Sequence, residues 1–402
     1  ADSLVSREAW GRIGASITGY KMVLTPQLSR SETMYHKRQQ KVLKALTERG
    51  FDGLVLNAGP SLTYFSGLHF HLMERPVVLF LVAGKKPCIV LPELEEPKLE
   101  ALDFACQPFS YPDNPAHWQA TFDMACRSAG LKGLNIGFEP RQFRLLEYGY
   151  LETSSATTSF AGADEAIAQC RAIKDQEEVN RIQKAVAIAE DSLKAILPRL
   201  RAGQTEQEVA AELVIELYRH GSEQPLPFTP IVSTGPNGAN PHAKPSDRRL
   251  REGDLLIIDW GATWRGYTAD LTRTFAIDEV DEEARRIHEL VLKANEAGRS
   301  AARPGTACRT VDNAARSLIE TAGYGSFFHH RTGHGIGLEC HEEPYIHAGN
   351  KDELKPGMSF TVEPGIYLKG KYGVRIEDDV LITKVGCRTL SKISRALIKL
   401  PL

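Results

Sequence analysis

The sequence predicts an α/β (α+β) protein with two domains, the first over residues 1–165 and the second over residues 170–402. In the first part, short β-rich runs alternate with helical stretches, which is typical of a layered α/β structure. A polar segment near 160–175 then leads into a long helix. In the second part, residues 200–221 resemble residues 302–323, and each copy follows a long helix and precedes strands. This order of elements predicts two related halves in the second domain.

The elements of the first domain can be placed from local composition. Apolar runs bounded by Gly, Pro or polar residues predict strands at 51–56, 76–82, 86–91 and 134–139. Helical patterns lie between them at about 35–49, 94–104, 116–129 and 141–151. No GxxxxGK[ST] string occurs in this part, so the sequence predicts no P-loop there.

The two halves of the second domain are related by an offset of 102 residues. The offset aligns Gly203 with Gly305, Val209 with Val311, Leu217 with Ile319, and Gly221 with Gly323. The long helices that precede the two copies are predicted at about 178–200 and 280–302. The residue identities of the two copies match weakly. The order of predicted elements that the copies share is a stronger indication of a repeat than chance similarity would give.

Composition excludes several classes of partner and compartment. Lys plus Arg number 49 and Asp plus Glu 51, so the net charge of −2 provides no field for nucleic acid or an anionic membrane. No apolar run reaches the roughly 18 residues of a membrane span, and the N-terminus shows no signal pattern. The seven cysteines form no CxxC motif. We therefore expect a cytoplasmic protein with free thiols.

An acidic hairpin is predicted in the first half of the second domain. The apolar run LLII delivers Asp259 at the end of one strand, and the returning strand carries Asp270. If Trp264 and Arg265 form a two-residue loop, the two aspartates lie directly opposite each other, with Cβ atoms about 5 Å apart. Two carboxylates so placed repel unless one is protonated or a cation lies between them.

A second acidic hairpin is predicted in the other half. An apolar strand delivers Glu363, Pro364 interrupts the ladder, and the turn centres near Gly370. Glu363 then lies opposite Glu377. By the period of two, one face of the returning strand carries Arg375, Glu377 and Asp379.

Five of the twelve histidines fall between the hairpins, in residues 329–347. Among them His334 is flanked by Gly333 and Gly335, which permit close backbone approach. One imidazole with four carboxylates forms a suitable ligand set for two divalent cations, and its oxygen-rich character favours Mn, Co or Zn. The alternative is a salt-bridge lattice in which Arg273 and Arg375 neutralise the acids.

Several strings in the second domain closely resemble the Xaa-Pro peptidase group, prolidase and aminopeptidase P, within the pita-bread metallopeptidases. The strings are DWGATWRGYTADLTRTF, GHGIGLECHEEP, TVEPGIY, VRIEDD and the upstream FTPIVSTGPNGANPHAKPSDRRL. They cover residues 225–380 densely, and the first domain resembles the creatinase-type N-terminal domain more loosely. The resemblance implies that the second domain is a pita-bread domain with an internal pseudo-twofold repeat.

The resemblance also implies a dinuclear metal centre with five ligands, all of which this chain retains. Asp259 would chelate one metal, Asp270 and Glu377 would bridge both, and His334 and Glu363 would bind the second. Two divalent ions are implied, with Mn first and Co or Zn as the other candidates. At position 340, where relatives often have a small or apolar residue, this chain has Cys340.

Catalytic and substrate-binding residues follow from the same resemblance. The metals would supply an activated water for attack on the Xaa-Pro carbonyl, and Glu363 would shuttle a proton. His242 matches a histidine near the scissile peptide, and His341 matches one that steadies the tetrahedral intermediate. His330 and Arg375 match positions near the substrate, with Arg375 orienting a carboxylate or a ligand.

Three functions remain open at this stage. The first is hydrolysis of Xaa-Pro bonds in dipeptides or at peptide N-termini, with proline-containing di- or oligopeptides as substrates. The second is a metalloenzyme of the same fold that acts on a small non-peptide molecule. The third is a non-catalytic peptide-binding member. A homodimer is expected, because oligomers are common in this family.

Overall fold

The computed structural model describes residues 33–401 of the 402-residue chain. The first 32 residues of the predicted N-terminal domain lie outside this range. The expectation that the N-terminus carries no signal pattern concerns these residues and therefore also falls outside the described structure. Within the described range, no helix combines the length and the apolar composition that a membrane crossing requires.

The first domain is a six-stranded mixed sheet covered on both faces. Its helices are α1 (Met34–Thr47), α2 (Pro60–Ser66), α3 (Trp118–Ala129), α4 (Leu145–Ser154) and α5 (Asp164–Arg171). Its strands are β1 (Gly53–Asn57), β2 (Val78–Val82), β3 (Cys88–Pro92), β4 (Gln107–Tyr111), β5 (Asn135–Phe138) and β6 (Ser159–Gly162). The spatial order is β4-β3-β2-β1-β5-β6, with antiparallel pairing at β1–β2 and β2–β3 and parallel pairing elsewhere.

Burial on both faces explains the continuous apolar strands of this sheet. Along β1, Leu54 and Leu56 belong to the core that holds α1, whereas Val55 belongs to the opposite core, which holds α3. The four predicted strands are present. The helix predicted at 94–104 is instead a 3-10 helix, Glu93–Ala101, with a proline inside it. The short strands β4 and β6 were not predicted.

The second domain contains two helix pairs packed against strands. The helices are α6 (Gln176–Ile196), α7 (Glu206–Arg219), α8 (Glu282–Ala301) and α9 (Cys308–Thr321). Helices α7 and α9 begin and end 102 residues apart, as the repeat predicts. Both α6 and α7 begin with a capping box, in which the side chain of Asp175 or Thr205 accepts from the backbone three residues later.

Two main sheets occupy the centre of this domain. Its strands are β7 (Ile231–Thr234), β8 (Leu255–Trp260), β9 (Thr263–Trp264), β10 (Tyr267–Thr268), β11 (Leu271–Ile277), β12 (Gly333–Gly335), β13 (Glu342–Ile346), β14 (Ser359–Val362), β15 (Gly365–Leu368), β16 (Tyr372–Arg375), β17 (Asp378–Ile382), β18 (Cys387–Thr389) and β19 (Lys399–Leu400). One sheet has the order β19-β11-β8-β7 and the other β13-β12-β14-β17-β18. The paired strands β15 and β16 extend the β14–β17 hairpin, and β9 and β10 extend the β8–β11 hairpin. The two acidic hairpins therefore lie in the two related halves.

Candidate metal centre and cleft

The turn of the first acidic hairpin lies one residue later than predicted. Trp264 pairs with Tyr267, so the two-residue loop is Arg265–Gly266 rather than Trp264–Arg265. Both loop residues have positive φ, 48° and 76°, as a type I′ hairpin turn requires.

The predicted register of this hairpin is consequently wrong. Asp259 lies opposite Thr272, not opposite Asp270. Moving the turn by one residue shifts the pairing of the two strands by two residues. Because side chains alternate between the two faces of a strand with a period of two, both aspartates still lie on one face. Asp259 and Asp270 are therefore diagonal neighbours, and Thr272 occupies the position directly opposite Asp259.

The second hairpin has the predicted register. Val362 pairs with Asp378 on one side of the strand break, and Gly365 pairs with Arg375 on the other. Both pairs belong to a single register that sets Glu363 against Glu377. The break in the strand falls at Glu363 and Pro364, where the sequence predicts an interrupted ladder.

Thr272 connects the two hairpins, a role that sequence reasoning missed. It forms an isolated bridge with Glu377, and its Oγ1 donates a hydrogen bond to Glu377 Oε2 at 2.6 Å. The same hydroxyl accepts a hydrogen bond from Arg375 Nε at 3.1 Å. The only sequence signal was its position on the inward face, two residues after Asp270.

His334 meets the acidic side chains from the short strand β12. Its Nε2 lies 3.6 Å from Asp270 Oδ2 and 3.3 Å from Glu363 Oε1. A Cβ at Gly333 would lie 1.8 Å from Thr361 O, and one at Gly335 would lie 2.2 Å from Glu343 O. Glycine on both sides therefore lets β12 fit between its neighbouring strands and fixes the imidazole beside the carboxylates.

Five predicted ligands thus converge at one buried point. The residues are Asp259, Asp270, His334, Glu363 and Glu377. Asp270, His334 and Glu377 each offer a ligand atom, and these atoms lie within 4.8 Å of one another. Of the four carboxylates, only Asp259 is paired with an arginine, Arg375, among the described residues. Arg273 pairs with Asp378 instead, so the alternative of a salt-bridge lattice does not describe this cluster.

The electrostatics of this cluster favour either protonation of a carboxylate or a bound cation. Burial, followed by the neighbouring carboxylates, raises the pKa of Asp270 and Glu377 well above their usual values. Burial also raises the pKa of Asp259 despite the adjacent arginine. For Glu363, burial acts in the same direction, but hydrogen bonding to His334 and the charges of His334, His330 and Arg375 together outweigh it and lower the pKa to about 2. The buried Asp259 Oδ1 has no hydrogen-bond partner, an orphan that a cation would satisfy. The donor set and this orphan oxygen fit divalent metal ions.

Arg375 belongs to a hydrogen-bonded chain beside the cluster. Its Nη2 donates to Asp259 Oδ2 at 2.6 Å and its Nη1 donates to the Tyr367 hydroxyl at 2.9 Å. His330 Nε2 lies 2.9 Å from the same hydroxyl. Arg375 therefore orients a predicted ligand, and Tyr367, to which the sequence assigned no role, joins it to His330.

The remaining predicted residues line the same cleft. The His341 ring lies beside the His334 ring, with centroids 4.0 Å apart, and His242 projects from the loop before β8. Desolvation, followed by the adjacent His334, lowers the pKa of His341 to about 4, which leaves a neutral imidazole at pH 7. Cys340 Sγ donates a hydrogen bond to Asp270 Oδ2 at 3.1 Å.

The cleft has a volume of about 1570 Å³, and both domains of the chain form its walls. The first domain contributes Tyr35, Arg38, Tyr64 and His69 among others.

A buried ionic cluster joins the two domains beside the cleft. Arg171 Nη2 lies 2.5 Å from Glu342 Oε2 and 2.7 Å from Glu339 Oε2, and Lys174 Nζ lies 2.6 Å from Glu342 Oε1. The two acids flank Cys340 and His341, so these ion pairs fix the loop that carries both site residues. Sequence reasoning missed them because Arg171 and Glu342 are 171 residues apart.

Comparison with known proteins agrees with this geometry. Residues 180–384 match the model of Metallopeptidase family M24, and residues 38–173 match the Creatinase/Prolidase N-terminal domain. The chain is 33% identical to a Xaa-Pro dipeptidase of Pyrococcus horikoshii, over 90% of this chain and 99% of that protein. It is 35% identical to the probable dipeptidase PepE of Mycobacterium tuberculosis, over 92% and 97% respectively.

Solved structures show the same similarity. The recombinant prolidase from Thermococcus sibiricus superposes with a TM-score of 0.86 at 34% identity, covering 92% of this chain and all of that one. The predicted creatinase-type N-terminal domain and pita-bread domain are thus confirmed. Membership of a metallopeptidase family implies divalent metal ions as cofactors. The chain belongs to metallopeptidase family M24 and carries the Creatinase/Prolidase N-terminal domain.

Proposed function

We propose that this protein hydrolyses the peptide bond between an N-terminal residue and proline, with dipeptides as its main substrates. The observation that carries the proposal is the convergence of four carboxylates and His334 at the base of a cleft that histidines and arginines line. The names of the relatives favour the same reaction.

The five converging residues would hold two divalent ions. Asp259 would bind one ion, Asp270 and Glu377 would bridge both, and His334 and Glu363 would bind the second. Manganese is our first candidate, with cobalt and zinc as alternatives, because oxygen ligands dominate the set. When bound, the metals supply Lewis acidity and an activated water.

The protein's own residues provide the remaining chemistry. Glu363 is half-buried beside His334, where its carboxylate can accept a proton at one stage and return it at another. Proline makes the scissile bond a tertiary amide, so its nitrogen must be protonated as it leaves. His341 can donate an N–H to the developing oxyanion. His242 would lie beside the scissile peptide.

Arg375 and His330 lie beside the predicted metal ligands and would act next to the reacting atoms. Arg375 holds Asp259 through a 2.6 Å charge-assisted hydrogen bond, which fixes that carboxylate towards a cation. His330 lines the cleft, and the 2.9 Å contact of its Nε2 with the buried Tyr367 hydroxyl holds the ring in place.

The test is hydrolysis of Ala-Pro and Ala-Pro-Ala after chelation and after manganese is added back. We expect metal-dependent cleavage of the dipeptide. Inactivity on both substrates, with metal bound, would favour a small non-peptide substrate. Failure to bind metal would favour the peptide-binding alternative.

Three further proposals concern the whole chain. We propose a cytoplasmic location, in keeping with seven free cysteines, and a homodimer. We also propose that the boundary between the predicted domains, 1–165 and 170–402, lies after Arg171. Helix α5 supports this position, because its Ala166, Ile167 and Cys170 are buried in the N-terminal core.

A further inference from the structure

A buried carboxylate lies at the base of the loop that carries His242. Glu206 is the first residue of helix α7, and its side chain is fully buried. The loop leaves strand β7 after Thr234, passes His242 at the cleft and returns to the start of α7 before β8 begins. The backbone N–H of Glu206 donates to Arg248 O at 3.0 Å, which ties the returning end of the loop to the helix. Glu206 therefore lies between the two ends of this loop.

The Glu206 carboxylate accepts hydrogen bonds from both ends of the loop. At the first end, Thr234 N–H donates to Oε1 at 2.7 Å and Asn237 Nδ2 donates to Oε2 at 3.1 Å. At the second end, Ser246 N–H and Oγ donate to Oε2 at 3.0 and 2.7 Å. These donors are neutral, and the dipole of α7 also favours a negative charge at its N-terminus. One buried side chain thus joins two segments that the apex of the loop separates.

The apex of the loop lies beside the candidate metal centre. Pro241 and His242 line the cleft, and Pro241 O accepts a hydrogen bond from Arg375 Nη1 at 3.4 Å. The loop also packs closely on strand β16, because a Cβ at Gly373 would lie 1.9 Å from Gly238 O. The His242 side chain is exposed, and its ring forms no hydrogen bond within residues 33–401. The backbone of the loop therefore determines where this imidazole lies.

The other half of the domain contains a related arrangement. Asp312 of helix α9 is fully buried, and its Oδ1 accepts a hydrogen bond from Thr332 Oγ1 at 2.6 Å. Arg316, which pairs with Asp312, donates from Nη2 to His330 O at 2.8 Å. Both repeated helices thus use a buried carboxylate to hold a segment that carries a histidine of the cleft.

We propose that Glu206 is a positioning residue that holds His242 at the scissile peptide bond. The inference rests on the proposed Xaa-Pro hydrolysis. Without the carboxylate, the two ends of the loop lose their common acceptor, and a displacement of about 1 Å near the reacting atoms can lower a rate by about 100-fold. Glutamine keeps the shape of the side chain, but its amide nitrogen would point a donor at the N–H of Thr234 or of Ser246. The carboxylate, rather than the volume of the side chain, is the group that fixes the loop.

The kinetics of Ala-Pro hydrolysis by the manganese-loaded enzyme test this inference. In Glu206→Gln we expect two bound ions and a kcat that is lower by about 10- to 100-fold. The matched control is Leu213→Ala in the same helix, which destabilises the core but removes no hydrogen bond to the loop. At a temperature where both variants are folded, the control keeps a kcat close to that of the wild type. In a His242→Ala background, Glu206→Gln causes no further fall in kcat, because Glu206 acts through His242.

Amide hydrogen exchange in the metal-free protein is a second measurement that does not depend on activity. In Glu206→Gln, the amides of residues 234–246 should exchange faster than in the wild type, whereas those of strand β8 should not change. Ser246→Ala removes one of the hydroxyl donors and is the milder variant for both measurements if Glu206→Gln does not fold. We expect it to change kcat and exchange in the same direction as Glu206→Gln, by a smaller factor.

An equal fall in kcat in Leu213→Ala overturns the inference, as does an undiminished effect of Glu206→Gln in the His242→Ala background. Unchanged exchange of residues 234–246 in Glu206→Gln overturns it as well. If the wild type binds two ions and cleaves no Xaa-Pro substrate, the proposed function itself is wrong. The exchange measurement then still decides whether Glu206 fixes the loop.

Discussion

Replacement of Arg171 by methionine tests the ionic cluster that joins the two domains. Arg171 and Glu342 are 6% and 8% exposed, and the guanidinium also contacts Glu339. Breaking a buried ion pair costs about 3–5 kcal/mol, because it leaves an uncompensated charge. Glu342 keeps Lys174 as a partner, so we expect a loss near the lower end, about 3 kcal/mol.

The loss is measured as the change in the free energy of unfolding in urea at pH 7. The control is Lys194→Met, which removes an ion pair with Asp191 whose two side chains are each 56% exposed. Such a pair contributes about 0–1 kcal/mol. Arg171→Met/Glu342→Gln should lose more stability than Arg171→Met alone, because it also leaves the buried Lys174 ammonium without its carboxylate partner. A loss in Arg171→Met no larger than in the control would refute the reasoning.

Three other substitutions test separate parts of the account. Thr272→Val removes the hydroxyl between Glu377 and Arg375, so we expect a loss of about 1–3 kcal/mol in urea unfolding and weaker metal binding; unchanged values for both would contradict the bridging role. Gly335→Ala forces a Cβ against Glu343 O, so overpacking should cost about 1–3 kcal/mol or more, whereas Gly386→Ala, with nothing within 4 Å, should cost much less. Burial lowers the pKa of His288 to about 4, below the unfolded value of about 6.5, so the unfolded chain binds more protons between these pH values and stability rises with pH there. In His288→Leu, the increase in the free energy of unfolding between pH 4 and 6.5 should be smaller by up to about 3 kcal/mol. The same pH dependence of urea unfolding in the variant and the wild type would count against this explanation.

The two acidic hairpins show what the sequence could and could not specify. For the second hairpin, the turn near Gly370 and the interruption at Pro364 fixed the register correctly. For the first, the Arg265–Gly266 turn was placed one residue early. The signal was present, because Gly in the second position of a two-residue loop favours a type I′ turn. Both aspartates still fell on the correct face because the displacement was an even number of residues.

Other features were beyond local patterns. Strands β4 and β6 lie at the edges of their sheet and contain exposed positions, so they lack the continuous apolar runs by which strands are recognised. The ionic cluster around Arg171 depends on how two domains meet, and no spacing in the chain encodes that contact. The pairing of Arg375 with Asp259 likewise required the register of both hairpins.

The most direct test of the dinuclear centre is the number of manganese ions that chelated protein takes up, measured by elemental analysis after dialysis. We predict two ions per chain in the wild type and at most one in Asp270→Asn, because Asp270 would bridge both. The exposed control Asp191→Asn should keep two. Uptake of no metal by the wild type, or of two ions by Asp270→Asn with unchanged affinity, would contradict the account.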